Sequence, residues 1–200
     1  MNDYEVLLNR AKDLHGEVCP GVIMGTRMSI AAMKKFNMDP MEPNENLMVT
    51  VETDRCMPDA IQAITGCTVG RRTLKCLDYG KFVATFVDMA NGESVRVSAK
   101  DDLVGSTPGL WAWFKNVSEL AREKNMPKVM EEKKSAIKML SEMPDEDLLY
   151  LVELQMDNTE IPGIPQHIVT CSVCGEHVMD KKEIMMEDKP VCQFCAGLID

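Results

Sequence analysis

Aromatic side chains make up only 5% of this 200-residue chain, against 17 methionines. With few aromatics to fill it, a core must rely on adaptable packing, which the unbranched methionine thioether supplies. No run of about 18 apolar residues could span a bilayer, and no basic start, apolar stretch and small-residue cleavage site marks a secretory leader. The expected setting is the cytosol, with no membrane partner. Cationic excess is missing too, since the formal net charge is −10. Residues 1–100 carry 12 basic and 13 acidic side chains, residues 101–165 carry 7 and 13, and residues 166–200 carry 3 and 6. A nucleic-acid reader needs cations to displace phosphate counterions, so the acidic tail disfavours DNA or RNA as a partner.

Phosphate-binding loops are also absent. Gly66-Cys67-Thr68-Val69-Gly70-Arg71-Arg72 lacks the glycine spacing, lysine and strand-to-helix setting of a Walker or dinucleotide loop. It reads either as an anion cradle of glycine amides and arginines or, the preferred reading, as a turn with solvated arginines. There is no internal repeat.

What the chain does have is a hydrophobic fraction of 45%, enough for a proper core, and eight cysteines. In a reducing compartment cysteines serve as metal ligands, catalytic thiols or small buried hydrophobes rather than disulfides. Cys171, Cys174, Cys192 and Cys195 close the chain as C-x2-C-x17-C-x2-C, while Cys19, Cys56, Cys67 and Cys76 are scattered through the first hundred residues.

Periodicity predicts an α+β fold. Val6, Leu7, Ala11 and Leu14 recur at helical spacing between Tyr4 and Leu14, and a second helix runs from Gly21 to Phe36 after breaks at His15-Gly16 and Pro20-Gly21. A strand follows over 47–53, and Pro58 at a first-turn position opens a short helix through Ile64. Three strands are predicted at 73–78, 82–89 and 94–99, with turns at Asp78-Tyr79-Gly80-Lys81 and Asn91-Gly92. Helices are expected over Trp111–Asn125, Pro127–Met143 and Pro144–Met156, and a linker over 157–166. The expected organisation is a core over residues 1–160, with a helical extension at 107–156, and a small domain over 167–200.

Each two-residue gap between tail cysteines lets one tight knuckle present two sulfurs to the same ion, which predicts a structural zinc site in a zinc-ribbon or treble-clef-like module. Four thiolates leave no open position for a substrate. So few apolar residues cannot fold this segment without a staple. His167 and His177 are alternative ligands, read in preference as ordinary exposed histidines.

In the core, Cys19 has an imidazole four residues back and a helix starting just after it, and Cys56 stands at a second helix start. These features suggest one pocket formed by His15, Cys19 and Cys56, with Asp59, Glu17 or Cys67 as further members. Two thiolates and an imidazole suit zinc or another transition metal and leave a position open. The competing reading is small buried cysteines and a helix-capping histidine. Cys76, in mid-strand, reads as plain core.

These residues stand in a pattern: His15-Gly16-x-x-Cys19-Pro20-Gly21-x-x-x-Gly25-x-Arg27, Val51-Glu52-Thr53-x-x-Cys56-x-x-Asp59-Ala60-Ile61, Thr65-Gly66-Cys67-Thr68-x-Gly70 and Asp78-x-Gly80-Lys81. The pattern resembles the FmdE family, named for a subunit of formylmethanofuran dehydrogenase. The resemblance implies an α+β core with a small mixed sheet, an intertwined homodimer, a site at His15, Cys19, Cys56, Asp59 and Cys67, and in some members a C-terminal zinc module. Where many members carry a second histidine, this chain has Glu17. A chain of this length without an iron–sulfur run of the C-x2-C-x2-C-x3-C kind cannot perform the dehydrogenase reaction by itself.

Three functions fit. The first is a metal-binding protein accessory to redox or metal-cofactor metabolism. The second is a regulatory or interaction module whose zinc domain meets a protein or, less favoured, a nucleic acid, with a core that senses a metal. The third is a thiol-dependent enzyme with Cys19 or Cys56 as nucleophile and His15 as base.

Overall fold

The computed structural model describes residues 2–100, 110–155 and 167–199. The chain divides at 161/162 into two compact units. The first opens on two helices, α1 (Asp3–His15) and α2 (Pro20–Lys35). α1 starts at a capping box between Asn2 and Glu5, which satisfies free amides of the first turn, and stops at Gly16, whose φ of 98° suits glycine. α2 starts at Pro20, whose fixed φ and missing N–H fit the first turn. Strand β1 (Leu47–Val51), helix α3 (Met57–Thr65) and strands β2 (Leu74–Cys76), β3 (Val83–Asp88) and β4 (Glu93–Ala99) follow.

Two further helices, α4 (Leu110–Arg122) and α5 (Met126–Glu142), meet where the Trp113 indole donates to the Glu132 carbonyl. The helix expected over Pro144–Met156 is corrected. One turn, α6 (Asp145–Leu148), gives way to strand β5 (Leu149–Gln155), which pairs with β4 along its whole length. Leu149-Tyr150-Leu151-Val152 carries no breaker and is as compatible with a strand as with a helix, and a full ladder to β4 decides between them. The linker expected over 157–166 lies outside the described residues.

The sheet runs in the order β2-β1-β3-β4-β5. α3 is the crossover that lets β2 lie parallel to β1; the remaining pairs are antiparallel. In register, Val49 stands beside Leu74 and Phe86, and Ala84 beside Val97. Side chains alternate across a strand, so these residues share one face. That face joins Leu7 of α1, Ile23, Met24 and Met28 of α2 and Ile61 and Ile64 of α3 in one buried core. Thioethers carry much of it: Met24, Met28, Met33 and Met57 are fully buried. The β3–β4 turn is longer than a two-residue Asn-Gly loop. Asp88 holds it, accepting from the Ala90 amide through its side chain and from the Gly92 amide through its carbonyl.

Arg27, part of the N-terminal pattern, acts as a clamp. Its Nη1 donates to the Leu140 and Met143 carbonyls at the end of α5, and its Nε and Nη2 reach the Asp145 carboxylate. The side chain is 11% exposed, so α5 ends against a largely buried guanidinium that satisfies carbonyls the helix cannot. Replacing it by alanine is expected to cost about 2 kcal/mol, read as an earlier urea midpoint. Arg27→Lys should recover only part of this, because an ammonium cannot span three acceptors in one plane.

The second unit holds two short hairpins, β6 (Ile168–Thr170) with β7 (His177–Met179) and β8 (Ile184–Met186) with β9 (Lys189–Val191). One cysteine knuckle connects β6 to β7, and the other follows β9. No helix among the described residues is long and apolar enough to cross a membrane.

Candidate metal centre

Three helix ends meet at one point of the first unit. His15 is the last residue of α1, Cys19 precedes α2 and Cys56 precedes α3. Helix N-termini favour thiolates and a helix C-terminus favours an imidazolium, so each side chain stands at the end that suits its charge. One ligand atom from each of His15, Cys19 and Cys56 lies within 4.8 Å of the others.

Glycines allow this convergence. A Cβ built on Gly21 falls 2.9 Å from the Cys56 Cβ, and one on Gly25 falls 2.6 Å from the Met57 carbonyl oxygen. No side chain fits there, so α2 lies directly against the first turn of α3. Small residues continue the packing, with Ala11, Val22 and Ala60 fully buried around Cys19.

The His15 ring bridges two environments. Its Nδ1 lies 2.8 Å from Asp59 Oδ2, and its Nε2 lies 3.8 Å from the Cys19 sulfur. The Asp59 carboxylate, itself half-exposed, raises the His15 pKa through that hydrogen bond, against the opposing effect of burial. The two thiols share a proton unequally. The hydrogen bond from Cys19 and the nearby His15 charge bring Cys56 down to about 6, against burial. Cys19 rises, first through that same hydrogen bond and then through burial, while the Val22 and Gly21 amides pull the other way.

The other expected members lie elsewhere. Glu17 turns outward to Lys133 of α5, 2.6 Å away, which lowers its pKa. Cys67 is also corrected: it is outside the cluster, buried, and its thiol donates to the Leu47 carbonyl. Burial pushes that thiol up. Cys76 reverses expectation as well, being exposed at the end of edge strand β2 rather than in the core. Partial burial, with Asp54 and Asp59 adding charge, raises its pKa. The 66–72 loop spends its amides internally. Thr68 donates to the Thr73 hydroxyl and Arg71 to the Thr68 hydroxyl, and the Arg71 side chain stands 3.8 Å from Glu45.

In the second unit the sulfurs of Cys171, Cys174, Cys192 and Cys195 lie within 4.8 Å of one another. Backbone amides turn toward them: Cys192 donates to the Cys171 sulfur at 3.3 Å and Cys195 to the Cys192 sulfur at 3.4 Å. Amides of Cys174 and Cys192 bring Cys171 down to about 6. The two histidines are engaged away from the sulfurs, His167 with Glu183 at 2.9 Å and His177 with Thr170 at 3.1 Å. Among the described residues these are the two sets of three or more ligand side chains that can hold a metal ion.

Fold and site define a class of protein: an α+β core with a mixed five-stranded sheet and a thiol–imidazole cluster at three helix ends, joined to a four-cysteine unit. The family model described as FmdE, molybdenum formylmethanofuran dehydrogenase operon, matches residues 14–150, and the chain belongs to that family. A crystal structure of an FmdE-like protein of the tungsten formylmethanofuran dehydrogenase type, from Syntrophus aciditrophicus, is similar, with 26% identity and a TM-score of 0.58 over 97% of this chain and 92% of that one. A protein of Archaeoglobus fulgidus named probable S-adenosyl-L-methionine-binding protein is 31% identical over 203 residues, 96% of this chain. This chain spans 52% of that protein's length.

Proposed function

We propose that this protein is a cytosolic, homodimeric metal-binding member of the FmdE family, accessory to redox or metal-cofactor metabolism. His15, Cys19 and Cys56 would hold a transition-metal ion with one position left open, and the four tail cysteines a structural zinc. The observation that carries this reading is the convergence of two thiols and an imidazole on one point, each from a different helix end. The donor set suits a thiophilic divalent ion, and Asp59 orients the imidazole as carboxylates do behind metal-bound histidines. The names of the family and of the Syntrophus protein tie this scaffold to molybdenum and tungsten enzymes, which supports an accessory role beside a metal cofactor. The S-adenosyl-L-methionine in the Archaeoglobus protein's name belongs to a chain about twice as long, and nothing in two thiols and an imidazole selects that ligand.

Strand β5 supports the homodimer. It is an edge of the sheet, and its Tyr150, Val152 and Leu154 are exposed. Val173 and Phe194, each inside a tail knuckle and each about two-thirds exposed, suit a protein partner better than an acidic unit suits nucleic acid.

Metal analysis of the full chain tests the reading. Two ions per chain are expected, falling to one in Cys19→Ser and, independently, to one in Cys171→Ser. A Cys19→Ser protein that keeps both ions would sink the core site. Asp59→Ala should keep the ion but weaken its binding by roughly 10- to 100-fold, the usual effect of losing the partner behind a ligating histidine. Competition against a chromophoric chelator measures it. The lowered Cys56 thiol favours a second reading, a thiol-dependent enzyme with Cys56 as nucleophile and His15 as base. Alkylation of metal-free protein separates the two, since a Cys56 that reacts no faster than Cys76 removes the thiol-enzyme reading.

A further inference from the structure

The core site contains a pair of thiols whose proximity is independent of any ion. The Cys19 and Cys56 sulfurs lie within 4.8 Å of each other, and the chain two residues beyond Cys19 runs in contact with Cys56, as the 2.9 Å gap to a Cβ at Gly21 shows. Backbones this close bring the two side chains into disulfide reach once their sulfurs rotate together. Neither of the other core cysteines competes. Cys67 is buried with its thiol on the Leu47 carbonyl, and Cys76 is outside the cluster.

We propose that Cys19 and Cys56 form a reversible redox site that takes a hydroperoxide as oxidant. Access sets the order of events: Cys56 is partly exposed and Cys19 is only 7% exposed. The Cys56 sulfur attacks one peroxide oxygen and breaks the O–O bond, giving a sulfenic acid and, once protonated, one water. The Cys19 sulfur then attacks the Cys56 sulfur and displaces the hydroxyl as a second water. Two thiols and one hydrogen peroxide become one disulfide and two waters. Two electrons leave the sulfurs, and a dithiol reductant returns them.

The bond consumes both thiolate ligands and leaves His15 paired with Asp59, a set too small to keep an ion. Oxidation therefore empties the core site, a consequence that rests on the metal-binding reading, whereas the bond itself does not. The tail cysteines lie equally near one another, but in the proposed zinc site all four sulfurs are bound to the ion, which protects them.

The test treats the full chain with one equivalent of hydrogen peroxide, blocks remaining thiols with iodoacetamide and maps the peptides by mass. The expected product joins the Cys19 and Cys56 peptides, two hydrogens lighter than their sum, with Cys67 and Cys76 still alkylated, and dithiothreitol reverses it. Cys56→Ser should give no cross-link and leave Cys19 alkylated. Cys56 recovered as a sulfinic acid beside an alkylated Cys19, or Cys19 joined to any other cysteine, overturns the proposal. Metal released in step with the bond supports both readings. A bond formed in a chain that never held core metal upholds the redox site and removes the metal reading; core metal held through Cys19 and Cys56 with no bond ever formed does the reverse.

Discussion

Stripping metal from the tail with a strong chelator is expected to unfold residues 167–199. Among the described residues of that unit only Cys171 and Val191 are buried, at 2% and 3% exposure. Two side chains cannot offset the conformational entropy of about 1–2 kcal/mol for each ordered backbone residue. The hairpins do not compensate, since each pairs three residues with three, and an isolated two-stranded hairpin is marginal at best. Met185, Phe194 and Leu198 stay at least 60% exposed and contribute little burial. What orders the segment is the convergence of four sulfurs and the amides turned toward them. An ion held there contributes an apparent free energy of roughly 10–16 kcal/mol, about the scale needed for a unit this small. Amide NMR checks this: the dispersed signals of 167–199 should collapse on chelation and return with one equivalent of zinc. A metal-free tail whose hairpin signals persist would show that the cysteines are not its staple.

Much of the core is legible in the sequence because its punctuation is local. Gly16, Pro20, Pro58 and Gly66 mark helix starts and stops, and each sits within two residues of a boundary in the structure. The helix-end positions of His15, Cys19 and Cys56 are readable for the same reason. What sequence cannot supply is the partner of each side chain. Glu17 has the spacing of a ligand, but Lys133, 116 residues away, holds it outward. Cys67 and Cys76 exchange their expected settings because the register of β1 decides which neighbour each meets: Leu47 offers Cys67 a carbonyl, and Val51 sets Cys76 at the open edge of the sheet. Strand β5 escapes a reading of periodicity on similar grounds, since its structure depends on β4 rather than on its own pattern. Arg27 belongs to the recognisable pattern, yet its acceptors at Leu140, Met143 and Asp145 are more than a hundred residues distant.

Gly25 offers the sharpest single-residue test of how the core site is built. Alanine there puts a methyl carbon 2.6 Å from the Met57 carbonyl oxygen and 2.8 Å from the Ala60 Cβ. Both atoms are fixed to the α3 backbone, so no side-chain rotation relieves the contact. Helix α3 must move, and Cys56 moves with it, being the residue before its first turn. Overpacking of this kind costs about 1–3 kcal/mol, well beyond the gain alanine brings to a helix over glycine. Gly25→Ala should therefore lower the urea midpoint and, by shifting one of three ligands, weaken metal binding in the core while leaving the four-cysteine site unchanged. Gly70→Ala is the matched control, because nothing lies within 4 Å of its Cβ and its φ is not positive. It should fall within about 0.5 kcal/mol of the parent protein. The two effects of Gly25→Ala must appear together, because one displacement of α3 produces both. If the variant is destabilised yet binds core metal with undiminished affinity, Cys56 is not held in place by the contact between α2 and α3. If it is as stable as Gly70→Ala, the close approach itself is wrong.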